Sequence, residues 1–317
     1  MMGLSFHLCF LVLCGSLIIP TKCLAQTCLP EDHVALFIFG DSLFDAGNNN
    51  YINTTTDFQA NVWPYGETFF KYPTGRPSDG RLIPDFIAEY AKLPLTPPYL
   101  HPAGYHRYTD GANFASSGAG ALVETHPGFV IDLNTQLKYF KNVETMLKRK
   151  VGETQAKKLL SRAVYLINIG GNDYLAPFTT NSSVLRSYSP QEYVDMVIGN
   201  LTTVIKEIHK KGGRKFGFLS VAPLGFFPYT KALIAPGNSF KEGKMACCGT
   251  GPYRGIPSCG GKRSVKEYEL CGNASEYLFF DSIHPSEKTN EQLAKLLWNG
   301  NLDVTWPYNL KALIEHK

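Results

Sequence analysis

Two short stretches, more than two hundred residues apart, carry residue types that could do nucleophilic chemistry together. The first is Phe37-Ile38-Phe39-Gly40-Asp41-Ser42, an apolar run that stops at a Gly-Asp-Ser turn. A buried strand ending in glycine and then serine sets a hydroxyl at the carboxyl edge of a sheet, where open α/β folds keep their sites. The second is Asp281-Ser282-Ile283-His284-Pro285, in which an aspartate three residues before a histidine can orient the imidazole within one turn. In this arrangement Ser42 is the candidate nucleophile, His284 accepts its proton during attack, and Asp281 holds the ring tautomer and stabilises the imidazolium. The developing oxyanion needs preorganised donors. The candidates are the backbone N–H groups of Ser42 and Gly118 and the side-chain amide of Asn172.

Each piece has an ordinary explanation when taken alone. A serine after aspartate caps turns, Gly171-Asn172-Asp173 can simply close a strand, and the small residues 115–120 can be tight packing. Their order, with several at the ends of predicted strands, favours the chemical reading.

The elements that must position them follow from periodicity. Val34 to Phe39 reads as a buried strand, Ala163 to Ile169 as a second, and Lys215 to Val221 as a third. Helices are predicted over Leu82 to Leu93, from Asp132 onward with Leu133, Leu137, Phe140, Val143 and Leu147 on one stripe, and from about Ser286 to Trp298. Another opens at Ser189-Pro190-Gln191-Glu192, which has capping-box spacing and a proline at the first helical position. Alternating strands and helices, with strands apolar nearly throughout, predict a parallel sheet covered on both faces. Right-handed crossovers bring the strands' carboxyl ends to one edge, where Ser42, Asn172 and the segment near Gly118 converge. Residues 223–280, rich in Gly, Pro and Cys, offer no clear strand-helix pair, an unusual length of connection for a compact domain.

Bulk properties narrow the classes. The chain has 317 residues, 44% hydrophobic and 18% charged, with a net charge of +4 and no concentrated basic block, which argues against nucleic-acid binding. Residues 1–25 read as a secretory signal, apolar from Leu4 to Pro20 and ending at Ala25, too short and too quickly closed by Thr21 and Lys22 for a membrane anchor. No later stretch is apolar enough to cross a bilayer, so residues 26–317 are expected to form one secreted domain. Sequons begin at Asn53, Asn181, Asn200 and Asn273, and become glycan candidates in a secreted chain; Asn200 falls inside a predicted helix. Beyond the signal remain Cys28, Cys247, Cys248, Cys259 and Cys271, which should largely pair in an oxidising compartment, with one left over. Zinc is the rival reading, and the adjacent pair Cys247-Cys248 lacks the spacing it favours.

Several motifs together resemble a known family. They are Phe39-Gly40-Asp41-Ser42-Leu43 with Asp45-Ala46-Gly47-Asn48-Asn49, Gly75-Arg76 with Ser78-Asp79-Gly80-Arg81, and Asn113-Phe114-Ala115-Ser116. Downstream come Ile169-Gly170-Gly171-Asn172-Asp173-Tyr174, Val221-Ala222-Pro223-Leu224-Gly225 and the Asp281 to Pro285 segment. In this order they are similar to the plant GDSL esterase/lipases of the SGNH hydrolase superfamily. The resemblance implies a flavodoxin-like three-layer α/β/α fold, hydrolysis of small-molecule or lipid acyl esters, secretion, a monomer, and neither metal nor organic cofactor. It assigns Ser42, Gly118, Asn172 and His284 to the four signature positions, with Asp281 as the histidine's partner.

One departure from that pattern stands out. Family members usually carry several tens more residues between Pro223-Leu224-Gly225 and Cys247-Cys248-Gly249, supplying a helix, a strand and a cysteine. Here Ala232-Leu233-Ile234 passes almost directly to Phe240-Lys241-Glu242-Gly243, so one βα unit is expected to be missing. The leading expectation is a secreted serine esterase. Its rivals are a non-catalytic secreted glycoprotein or binding module, and an acyl transferase using the same residues.

Overall fold

A computed structural model describes residues 30, 33–102, 106–179, 184–234 and 245–315. The predicted signal, Cys28 and the sequon at Asn181 lie outside the described residues.

The first strand, β1 (Leu36–Gly40), is buried at every position because both of its faces are covered. Phe37 and Phe39 point into one apolar layer and Leu36 and Ile38 into the other, which is the period of two expected of a strand. Along the chain follow α1 (Ile83–Tyr90), β2 (Gly111–Asn113), α2 (Leu133–Val151), α3 (Glu153–Arg162) and β3 (Val164–Asn168). Then come α4 (Gly171–Thr179), the short α5 (Val184–Ser187), α6 (Pro190–Lys210), β4 (Lys215–Phe218) and α7 (Pro228–Ile234). A small hairpin of β5 (Cys248–Gly249) and β6 (Glu269–Leu270) precedes α8 (Glu287–Asn299) and α9 (Leu310–Glu315).

The main sheet is parallel, in the order β2-β1-β3-β4. Helices α2, α3 and α6 cover one face over Phe37, Phe39, Phe140, Tyr165 and Ile167. Helices α1, α8 and α9 cover the other over Leu36, Ile38, Ile83, Leu166 and Leu310. This is the three-layer α/β/α arrangement with the flavodoxin-like order, in which a fifth strand would follow β4. Among the described residues no strand occupies that place.

Most predicted elements are present with trimmed ends. Asp132 caps α2 by accepting from Thr135 N–H, Ser286 caps α8 through Thr289 N–H, and Ser189 with Glu192 forms the capping box of α6. The strand expected over Lys215 to Val221 stops at Phe218; Leu219 still donates to the Ile167 carbonyl, and Val221 and Ala222 line the site cavity. Among the described residues between Pro223 and Phe280 the structure holds α7, single turns and the two-residue strands. Four of the cysteines form two bridges, Cys247–Cys271 and Cys248–Cys259. Among the described residues no group of His, Cys, Asp or Glu is arranged to hold a metal, and no helix is long and apolar enough to span a membrane.

Candidate active site

The turn that carries Ser42 is fixed from behind by an amide that sequence reading missed. Gln136, buried on α2, accepts the Gly40 N–H at 2.9 Å and donates to the Gly40 carbonyl at 2.8 Å and the Ile131 carbonyl at 2.9 Å. Gly40 has φ +154°, and a Cβ there would fall 2.3 Å from the Asn168 carbonyl, so the approach of β1 to β3 requires glycine. Asp41 donates its N–H to that same carbonyl and accepts the Leu43 N–H at 3.0 Å. Burial pushes the Asp41 carboxyl up to about 7, against the pull of the Leu43 N–H and of nearby His284.

The Asp45-Ala46-Gly47-Asn48-Asn49 motif turns out to be a clamp between the loops after β1 and β2. Asp45 accepts from Gly47 and Asn48 N–H on one oxygen and from Ser117 N–H and Oγ on the other. Asn48 donates to the Asn113 and Ala115 carbonyls, and Asn49 to those of Phe58 and Ser117. All three side chains are buried, so each bond replaces water that cannot reach the group. The clamp sets the path of residues 113–118.

Gly118, at φ +84°, leaves no room for a side chain: a Cβ would meet the Phe58 ring at 2.4 Å. Its carbonyl is engaged by His126 Nδ1 at 2.8 Å. The next carbonyl, of Ala119, accepts one N–H of the Asn172 amide at 2.9 Å, leaving that amide a second donor. Asn172 stands in the first turn of α4, and its neighbour Asp173 is buried under Ala121 N–H, Leu122 N–H and Thr125 Oγ. Thus the Gly171-Asn172-Asp173 segment is cross-linked to the loop that holds Gly118.

The histidine turn is built from loops rather than strands. Asp281 is buried, and its carboxylate receives His284 Nδ1 at 2.8 and 2.9 Å and the Ile283 and His284 backbone N–H groups at 2.9 and 2.8 Å. Burial opposes its charge, yet the His284 ring, its hydrogen bonds and the charge of Arg263 together hold the carboxyl well below the usual range. The turn is tied outward through the Gly75 to Arg81 motif. Ser78 donates to the Pro285 carbonyl at 3.1 Å and Asp79 accepts the Glu287 N–H at 2.7 Å. Arg76 in that motif forms a buried bidentate pair with Asp85 at 2.8 Å on both arms.

Ser42, Asn172 and Ile283 line one small cavity with Leu175, Val221 and Phe227. Ser42 is 9% exposed, and His284, 8% exposed, follows the cavity-lining Ile283 in the chain. Among the described residues no hydrogen bond joins the Ser42 hydroxyl to His284, a looseness common in ligand-free sites. Gly118 is not on the cavity wall itself but reaches it through Ala119 and Asn172. Of the sequon asparagines, Asn53 and Asn273 are exposed, while Asn200 is half-buried on α6 and donates to the Met196 carbonyl.

Comparison with known proteins identifies the family. The family described as GDSL-like Lipase/Acylhydrolase matches residues 36–297. The chain belongs to this family. It is 48% identical over 349 aligned positions to GDSL esterase/lipase 1 of Arabidopsis thaliana, covering 93% of each chain. It is 51% identical over 343 positions to GDSL esterase/lipase 2 of the same plant, covering 90% of this chain and 91% of the relative. It is 45% identical over 358 positions to a GDSL lipase of Tanacetum cinerariifolium, covering 96% and 93%. Membership supports a carboxylic ester hydrolase. Each alignment is longer than the 317 residues of this chain, so these relatives hold several tens of positions that have no counterpart here.

Proposed function

We propose that this GDSL-family chain is a secreted serine esterase in which Ser42, His284 and Asp281 act as a triad. The observation that carries the reading is the Asp281 carboxylate: buried and held ionised, it fixes the ring of His284, whose chain neighbour Ile283 lines the same cavity as Ser42. On ester binding, Ser42 Oγ attacks the carbonyl carbon as its proton passes to His284 Nε2. The imidazolium is stabilised by Asp281 and then protonates the departing alcohol, leaving an acyl-serine. Water, deprotonated by the same imidazole, attacks that ester and frees the acid. The oxyanion of both steps is met by the N–H groups of Ser42 and Gly118 and the remaining Asn172 donor. Leu175, Val221, Leu224 and Phe227 give the cavity an apolar wall suited to an acyl group.

Secretion is supported by the apolar leader at 1–25 and by the two disulfides, a chemistry that persists in oxidising compartments. Exposed Asn53 and Asn273 are the better glycan acceptors. The shortened chain favours one competing reading, a folded but inactive binding protein. A fluorophosphonate probe separates them. Labelling at Ser42, lost in Ser42→Ala together with turnover of a p-nitrophenyl ester, is the expected result. A Ser42→Ala chain that still turns over the ester refutes the assignment, and a folded wild-type chain that resists the probe favours the binder.

A further inference from the structure

Behind the carboxylate that holds His284 stands a phenol, and behind the phenol a cation. Tyr65 Oη donates to Asp281 Oδ2 at 2.7 Å, and Arg263 Nη2 donates to Tyr65 Oη at 3.2 Å. Tyr65 is fully buried and Arg263 nearly so. Burial raises the phenol far above its ordinary range, so Tyr65 keeps its proton and can only donate toward Asp281. None of this lies in the motifs that mark the site in sequence.

The delivery of Arg263 is built into the covalent structure. It lies between Cys259 and Cys271, which bridge back to the adjacent Cys248 and Cys247. Just before it, Gly260 passes so close to the 62–63 segment that a Cβ would sit 2.5 Å from Val62 and 2.9 Å from the Trp63 carbonyl. The stapled loop is therefore pressed onto the turn that carries Tyr65. Tyr65 itself packs edge-on against Phe280, with ring centres 5.4 Å apart, next to Asp281 in the chain.

We infer that Tyr65 and Arg263 are positioning residues of the proposed triad, a buried phenol and guanidinium that set the orientation and the charge of Asp281. This rests on the esterase reading above. Asp281 Oδ1 takes two backbone N–H groups, Oδ2 takes the Tyr65 hydroxyl, and His284 Nδ1 sits between both oxygens at 2.9 and 2.8 Å, so Tyr65 is what holds Oδ2 besides the ring itself. Removing the phenol frees the carboxylate to turn, and the imidazole turns with it. Removing Arg263 takes away the cation that offsets the buried carboxylate. The anion left without that offset attracts a proton to the site more strongly, so attack by Ser42 sets in at higher pH in the variant. The charged and titratable groups around His284 are Asp281 on its own turn, Asp41 on the serine turn, and Tyr65 and Arg263 behind Asp281, with Asp57 in the field of Arg263.

The test uses the full secreted chain and three variants, Tyr65→Phe, Arg263→Met and Arg263→Lys. Labelling of Ser42 by a fluorophosphonate is followed against pH, and kcat and KM are measured on a short p-nitrophenyl ester. Tyr65→Phe and Arg263→Met are expected to lower kcat by about tenfold or more with KM nearly unchanged, as befits a weakened general base. In both, the acidic limb of the labelling profile moves to higher pH, whereas in Arg263→Lys, which keeps the cation, it stays near the wild-type position. A merely structural role would lower the fraction of labelled protein and leave the limb where it was. That outcome overturns the inference, as does a loss confined to KM. Should Arg263→Met not fold, Tyr65→Phe removes one oxygen only and decides the matter alone. A folded wild type that resists the probe defeats the esterase reading and this inference with it, whereas a labelled wild type with unmoved limbs in the variants defeats only the inference.

Discussion

Around the carboxyl ends of β1 and β2, buried polar side chains are bonded to the backbone of other loops; beyond β4 the sheet ends in exposed rings. On the first side Asp45, Asn48, Asn49, Gln136 and Asp173 join the turn after β1, the loop after β2 and the start of α4. On the second, Phe218 is 48% and Trp306 82% exposed, beside a cavity of about 550 Å³ that Leu166, Phe216 and Leu310 also line. The contrast is between loops locked by buried polar bonds and an edge strand whose rings stand exposed, although the segment just after that strand still supplies part of the cavity wall. The histidine turn takes its anchors from Tyr65, Ser78 and Asp79 and from backbone bonds of Cys247 and Cys248 to Phe279 and Phe280. One more comes from the segment after β4, where the Tyr229 N–H of α7 donates to the Ser282 carbonyl at 2.8 Å.

The sharpest way to break this contrast is to cut the polar side. Arg76→Met leaves Asp85 buried without its partner and should cost about 3–5 kcal/mol in urea unfolding. Restoring an apolar match with Arg76→Met/Asp85→Leu should recover much of that loss. Replacing Cys248 and Cys259 together by serine opens the loop that presents Arg263 and should cost about 2–4 kcal/mol, read from the same unfolding midpoints. A smaller change of the opposite sign is expected at Asp41. Its folded carboxyl binds a proton more tightly than an unfolded one, so the stability it contributes at low pH is lost as pH rises through about 7. Asp41→Asn should therefore melt above the wild type at pH 8 and close to it at pH 4. At the open edge Phe218→Lys should change stability by less than about 0.5 kcal/mol. It should lower self-association in light scattering, because a charge blunts an exposed strand edge. A large loss of stability at Phe218 would mean that the edge is not open.

Sequence reading found the elements whose signal is long or chemically marked. The stripe of α2 and the capping box of α6 are examples, and both stand where periodicity put them. It passed over β2, three residues long and composed of Gly, Ala and Asn, because so short a segment shows no alternation and owes its pairing to β1. It passed over α4 as a helix, since Pro177 and the leading glycine argue against one. It ran β4 to Val221 because apolar residues continue there, although those residues serve the cavity wall instead.

What the chain determined alone was a class of chemistry and a scaffold: apolar runs that must be buried on two faces, a serine just after a strand that ends at the sheet edge, and a histidine in a short turn before a helix. Tertiary structure alone decided which groups support them. Gln136 meets Gly40 across 96 residues of sequence and Tyr65 meets Asp281 across 216. No local pattern encodes such pairs, because a single polar residue acquires its partner only after burial has removed water as the alternative.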